Sequence, residues 1–336
     1  MRIVVDAVGG DRAPTEPVAG AVMAAERFAD IEVLLAGPEG VVGAELDKLD
    51  SRPGNVHVLP ASESIGMDEA PIQALRGKRD SSIAVGIGAV ARGEADAFVS
   101  AGNTGAVVAA STLGMGLIEG VQRPGIAVPM QVMGYPVIII DAGANIYCKP
   151  MHLVQYGIMA SVFARDILDI ADPRVGLLNV GEEDRKGTDL VREGFALLSK
   201  ARLNFIGNVE AGDAFTGTCD IVVCDGFAGN VLLKTAEGVV TRVMDFAGEE
   251  IRKKWRRKLG YLLCRDVFAA IKRCSDYAEY GGEPLLGVDG VTIIGHGRSD
   301  ARAMASAVRE ARSFIQRKVN QKIGASIRAA LTAGEA

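Results

Sequence analysis

A doubly wound α/β fold, three layers deep with helices on both faces of a mostly parallel sheet, is what this sequence predicts. Three observations predict it. Short β-branched runs such as Val137–Asp141 and Asp220–Asp225 are apolar throughout, without the alternation of a strand that has one wet face. Each run ends in a small or acidic residue, passes into a short loop, and is followed by a segment of helical period. Glycine occurs 41 times while aromatic residues make up only 5%, which suits tight strand-to-helix turns better than an all-β sandwich.

The units follow in order along the chain. Ile3–Asp6 leads into the loop Ala7–Asp11, and Ala97–Ser100 into Ala101–Gly105. Val137–Asp141 leads into Ala142–Asn145, and Val175–Val180 into Gly181–Gly187. Ile221–Asp225 leads into Gly226–Asn230, and Val291–Gly295 into His296–Asp300. Ligands of open α/β sheets bind beyond the carboxyl ends of the strands, so all six loops are expected at one edge. Residues 1–336 read as one α/β domain. From about 238 to 280 the pattern is helical, charged and without a strand, and is expected to form an arm projecting from the body. The last residues read as a fraying helix.

Composition excludes several classes. With 37 Lys and Arg against 42 Asp and Glu the net charge is -5, so no global basic field recruits nucleic acid. The five cysteines (Cys148, Cys219, Cys224, Cys264 and Cys274) are odd in number and include no CxxC pair. That argues against a disulfide framework or a zinc site and fits a reducing cytoplasm. The chain opens directly on an apolar strand with no leader pattern, and no stretch approaches the roughly 20 apolar residues of a spanning helix. The protein is expected in the cytoplasm, at most resting on a membrane surface.

Loops that lead from strand to helix present backbone N–H groups and the positive helix end to whatever lies above, and glycines let the main chain come close. Six such loops together point to a site for a phosphate-like anion. There is no GxxxxGK loop, no GxSxG elbow and no HExxH pair. Gly295–Asp300 is only a partial dinucleotide fingerprint and follows the last strand. With three histidines, His57, His152 and His296, no histidine-rich metal site is expected. Local sequence leaves single residues open. Lys186 is either a cation for an anionic substrate or a solvated loop charge, and Asn230 either caps a helix or donates to an oxyanion. Asp6, Asp141 and Asp225 either orient other groups or cap helices. Cys148 has no flanking histidine and reads as a packed residue rather than a nucleophile.

Seven blocks carry a resemblance. They are MRIVVDAVGGDRAP, SAGNTGA (Ser100–Ala106), DAGAN with KP and HLVQY (Asp141–Tyr156), RVGLLNVGEEDRKG (Arg174–Gly187), FIGNVE (Phe205–Glu210), CDGFAGNVLLKTAEG (Cys224–Gly238), and YGG, LLG and HGRSD (Tyr280–Asp300). In this order they resemble the PlsX family of phosphate acyltransferases over nearly the whole chain. The resemblance implies a homodimeric cytoplasmic enzyme of isopropylmalate-dehydrogenase-like α/β/α fold, without an organic cofactor. It implies transfer of a fatty-acyl group from acyl carrier protein to inorganic phosphate. The acyl phosphate would feed a membrane glycerol-3-phosphate acyltransferase in phospholipid synthesis. The chain departs from the family pattern at Arg12, usually histidine, at Tyr147, usually aspartate, and at Gly212, usually arginine.

On this reading phosphate is itself the nucleophile. Gly9, Gly10, Asp11 and Arg12 with Gly102, Asn103, Thr104 and Gly105 are assigned to phosphate, together with Asn145, Asp225 and His296. Lys186 neutralises phosphate or the developing charge, and Asn230 donates to the oxyanion. The competing readings are a phosphotransacetylase-like enzyme using acyl-coenzyme A, an NAD-dependent dehydrogenase, and an inactive scaffold that recruits lipid-synthesis enzymes. The arm carries nine Lys or Arg and one acidic residue, Asp266, between Ile251 and Arg273. Its apolar stripe through Ile251, Trp255, Leu259, Leu262, Leu263, Val267, Ala270 and Ile271, with Phe268 near the tip, suits an anionic membrane surface. The stripe also suits a dimer or core contact, and the cations an acidic carrier. Gly260 is expected to bend the arm.

Overall fold

The computed structural model describes residues 1–132, 135–268 and 282–334. The chain begins β1 (Arg2–Asp6), α1 (Thr15–Arg27), β2 (Glu32–Gly37), α2 (Glu39–Leu46), β3 (Val56–Pro60), α3 (Pro71–Gly77), α4 (Ser82–Ala91), β4 (Ala97–Ser100) and α5 (Thr104–Gly114). An antiparallel pair, β5 (Gly125–Val132) and β6 (Tyr135–Ile140), is followed by α6 (Pro150–Ile167), β7 (Val175–Leu178), α7 (Asp189–Leu198), β8 (Phe205–Val209) and β9 (Ile221–Val223). Then come the long helix α8 (Gly226–Arg252), α9 (Trp255–Leu263), β10 (Glu283–Leu286), β11 (Val291–Ile294), α10 (Ala301–Arg317) and α11 (Val319–Gly334).

Among the described residues eleven strands form one sheet in the order β3-β2-β1-β4-β11-β10-β5-β6-β9-β7-β8. The apolar runs are buried on both faces, as their lack of alternation predicts. In β1, Ile3 and Val5 join one core with α1, α6 and α10, whereas Val4 faces the other with Ile83 and Ile87 of α4 and Ala106 and Val107 of α5. In β6, Ile138 and Ile140 join the first core, while Val137 and Ile139 meet Val222, Cys224 and the half-buried Leu232 of α8. Helices therefore cover both faces, giving three layers.

The sheet is not parallel throughout. β11 pairs parallel with β4, but the junctions β11–β10, β10–β5 and β5–β6 are all antiparallel. Three reversals leave β6 antiparallel to β11. The carboxyl ends of β1, β4 and β11 therefore lie at one edge and those of β6, β7 and β9 at the opposite edge. This corrects the expectation of six loops at a single edge: β5 and β10 turn the second half of the sheet over.

The expected arm rides on a longer helix. That helix starts at Gly226, because Asp225 caps it and no glycine within it ends it, and its buried residues are Gly226, Gly229 and Leu233. The bend falls at Lys253–Lys254, between α8 and α9, while Gly260 lies inside α9. Trp255, Leu259, Leu262 and Leu263 are exposed, the last 79% so, as is Val267. Phe268 stacks at 5.1 Å on Tyr261. Ala270, Ile271, Arg273, Cys274 and Tyr280 lie outside the described residues.

Candidate active site

The first-edge loops are built around a buried carboxylate. Asp6, at the end of β1, accepts a hydrogen bond from the Ser100 hydroxyl at 2.7 Å, and that hydroxyl accepts from the Gly102 N–H at 3.0 Å. Burial pushes the Asp6 carboxyl up from its ordinary range, while donors including Ser100 pull it back. The loops then close so tightly that a Cβ at Gly9 would lie 2.2 Å from Asp6 Oδ2. Gly10, at φ 102°, makes a turn only glycine takes readily. The Asp11 N–H donates to the Gly297 carbonyl at 2.7 Å, which joins this loop to the one carrying His296. Gly9, Gly10, Asp11, Gly102 and His296 are thus brought together, with the exposed Arg12 beside them.

Asn103 departs from its assignment. Its Oδ1 caps α5 by accepting from the Ala106 N–H, and its Nδ2 donates to the carbonyls of Gly66, Met67 and Glu69. The side-chain amide thereby fastens the 66–69 loop. Thr104 and Gly105 open α5 beneath that loop, with Pro71 where a Cβ on Gly105 would go.

The second-edge loops are built around Asp141. Its Oδ1 accepts from the N–H groups of Ile126, Gly143 and Ala144, and its Oδ2 from the backbone and side-chain N–H groups of Asn145. Burial pushes this carboxyl up, and these donors oppose the shift. The Asn145 amide also donates to the Pro124 carbonyl and the Tyr156 hydroxyl, so it serves the scaffold rather than a ligand. Asp225 caps α8 through the Ala228 N–H at 2.8 Å. Both side chains, assigned to phosphate from sequence, are engaged by the scaffold here, as a strand-end loop needs its own polar groups satisfied.

Cys148 is half-buried, within 3.7 Å of the Tyr156 hydroxyl, and burial pushes its thiol up. Such a thiol is a poor nucleophile. Lys186 sits elsewhere, in the exposed loop after β7. It is ion-paired with Glu183 at 2.6 Å, which raises its pKa, and it folds over Gly181. Among the described residues no hydrogen bond joins it to Asn230.

Helix α8 spans the two edges. Asn230 is exposed in its first turns and lies against the 141 loop, where a Cβ at Gly143 would be 3.8 Å from Asn230 Cβ. One turn later Lys234 Nζ comes within 3.4 Å of His296 Nε2 and 3.0 Å of Glu237. Lys234 was not singled out from sequence, although its i+4 spacing from Asn230 puts both on one helix face. Among the described residues no group of His, Cys, Asp and Glu could hold a metal ion.

A family model described as fatty acid synthesis protein matches residues 1–322. Curated relatives named phosphate acyltransferase include one from Desulfitobacterium hafniense (strain Y51), 48% identical and covering 94% of each chain. Another, from Geotalea uraniireducens, is 46% identical over 96% of this chain and 93% of its own. Solved structures of the same fold include a phosphotransacetylase from Streptococcus pyogenes, with TM-score 0.58 and 17% identity over 94% of both chains. A 4-hydroxythreonine-4-phosphate dehydrogenase from Klebsiella pneumoniae has TM-score 0.53 and 13% identity, covering 94% of this chain and 99% of its own.

Proposed function

The chain belongs to the fatty acid synthesis protein family, the PlsX phosphate acyltransferases, and from that premise we propose that it moves a fatty-acyl group from the thioester of acyl carrier protein to inorganic phosphate. A phosphate oxygen attacks the thioester carbonyl, the acyl C–O bond forms, the C–S bond breaks, and the phosphate proton leaves with the carrier's thiol. The observation that carries this reading is the placing of Asn230 on α8, exposed and against Gly143 of the Asp141 loop, while Cys148 is a half-buried thiol whose pKa is raised. Such surroundings offer an amide donor to a developing oxyanion and no activated enzyme nucleophile. The loops around Gly9–Arg12 and Gly102 contribute phosphate-facing backbone, and Lys186 neutralises charge once its loop swings it from Glu183 toward substrate.

The homodimer and the membrane surface belong to the same proposal. No helix among the described residues is long and apolar enough to cross a membrane. The exposed face of α8, with Val239, Val243 and Phe246, fits a second copy of the chain. The tip fits an anionic bilayer: Trp255 is 71% exposed and Leu263 79%, among Arg252, Lys253, Lys254, Arg256 and Lys258. There the acyl phosphate would meet a glycerol-3-phosphate acyltransferase. Co-sedimentation with anionic liposomes at low salt tests the tip. Wild type should pellet and a Leu262→Glu/Leu263→Glu variant should not; equal behaviour of the two removes the membrane role. Comparing acyl carrier protein with acyl-coenzyme A as donor tests the substrate.

A further inference from the structure

We infer that Lys234 and His296 form the substrate-phosphate clamp, a site that bridges the two halves of the sheet. The inference rests on the acyl-to-phosphate reading and adds to it a residue outside the assigned loops. His296 Nδ1 accepts a hydrogen bond from the Arg298 N–H at 3.2 Å. In a neutral imidazole the proton then resides on Nε2. The ring is kept neutral because burial, and next the Lys234 charge, push its pKa down. Nε2–H faces Lys234 Nζ at 3.4 Å. The ammonium and the imidazole therefore meet at one point, where a single oxygen can accept from both.

Several further features make that oxygen a phosphate oxygen. Lys234 is fixed on the helix face by Glu237, at 3.0 Å, so its ammonium is directed rather than free to sweep. Glu237 offsets the Lys234 charge, and Glu283 and Asp11 are the other carboxyls around the pair, so the anion is held by directed hydrogen bonds rather than by a strong positive field. That suits a substrate exchanged at every turnover. Asn230 lies one helical turn away on the same face, and Cβ atoms at that spacing are about 5–6 Å apart. A phosphate on Lys234 and His296 thus sits beside a thioester carbonyl directed at Asn230. Lys234 comes from the second half and His296 from the first, so bound phosphate ties the halves together.

The test is titration of the full chain with inorganic phosphate by calorimetry, followed by steady-state kinetics in both substrates. Lys234→Ala should weaken phosphate binding and raise the phosphate KM about 10- to 100-fold, the range of one charge-assisted hydrogen bond. The KM for acyl carrier protein should move by less than about 2-fold, and Lys234→Arg should recover part of the loss. A merely structural lysine would shift both KM values together and would change the unfolding midpoint. Equal phosphate affinity in wild type and Lys234→Ala overturns the clamp, as does a wild type that binds no phosphate. If wild type binds phosphate through Lys234 yet releases no carrier, the clamp stands and the acyl-transfer reading fails. If it releases carrier with a phosphate KM indifferent to Lys234→Ala, the reverse holds.

Discussion

Gly229→Ala should cripple the enzyme through geometry alone. A Cβ at this position would lie 2.0 Å from the Asp141 carbonyl oxygen and 2.8 Å from Cys224 Sγ. Both neighbours are buried, one of them backbone, so neither can step aside. Restoring contact to about 3 Å requires α8 to retreat by roughly 1 Å from the 141 loop. Overpacking of this kind costs about 1–3 kcal/mol, against which Ala over Gly in a helix returns about 1 kcal/mol. A net loss of up to about 2 kcal/mol is expected. Turnover should fall further, by about 100-fold, because the retreating helix carries Asn230 and Lys234 and a 1 Å misplacement costs that much. Gly238→Ala, on the same helix, has nothing within 4 Å of the new methyl and should stabilise by about 1 kcal/mol with unchanged turnover. Denaturant midpoints and phosphate-dependent carrier release, measured on both variants, decide the matter. A Gly229→Ala protein as stable and as active as Gly238→Ala would refute the docking of α8 on the Asp141 loop, and with it the assembled site.

Asn230→Ala should lower turnover about 10²–10³-fold if its amide donates to the oxyanion as proposed, with an unchanged unfolding midpoint because the residue is exposed. Lys186→Ala should do likewise in turnover; if both variants keep near-normal rates, the site assignment is wrong. Cys148→Ser should retain turnover, and mass-spectrometric trapping of an acyl group on Cys148 would contradict this. Glu310 is buried in α10 with Oε2 lacking a hydrogen-bond partner, and burial pushes its carboxyl well above the usual range. The folded state therefore holds this proton more tightly than the unfolded chain, and the stability it contributes fades as pH rises above about 4.5. Glu310→Gln should gain on wild type progressively above that pH. A difference that stays flat from pH 5 to 8 would contradict it.

How much of this was legible in sequence follows from the range of each interaction. Ile3–Asp6 and Val137–Ile140 reveal themselves as strands because burial on both faces leaves its mark residue by residue. Asp225 was recognisable as a candidate helix cap because a cap is made within three residues. The reversal of the sheet was not legible. β5 and β10 are ordinary short runs, and their direction depends on pairings such as Leu285 with Ile126, 159 positions apart. For the same reason Asn103 looked like a phosphate ligand. Nothing local shows that Gly66, Met67 and Glu69 consume its amide. Lys234 was hidden because its partner, His296, lies 62 residues away. Its helical spacing from Asn230 was the available signal.

The central claim is that phosphate, held between the two halves, attacks an acyl carrier thioester without help from an enzyme nucleophile. The most direct test supplies purified protein with a long-chain acyl carrier thioester and follows free carrier against phosphate concentration. Carrier should appear in step with acyl phosphate, saturate with phosphate, and cease when phosphate is withheld. Release that ignores phosphate, or that proceeds from acyl-coenzyme A while the carrier thioester stays intact, would contradict the account.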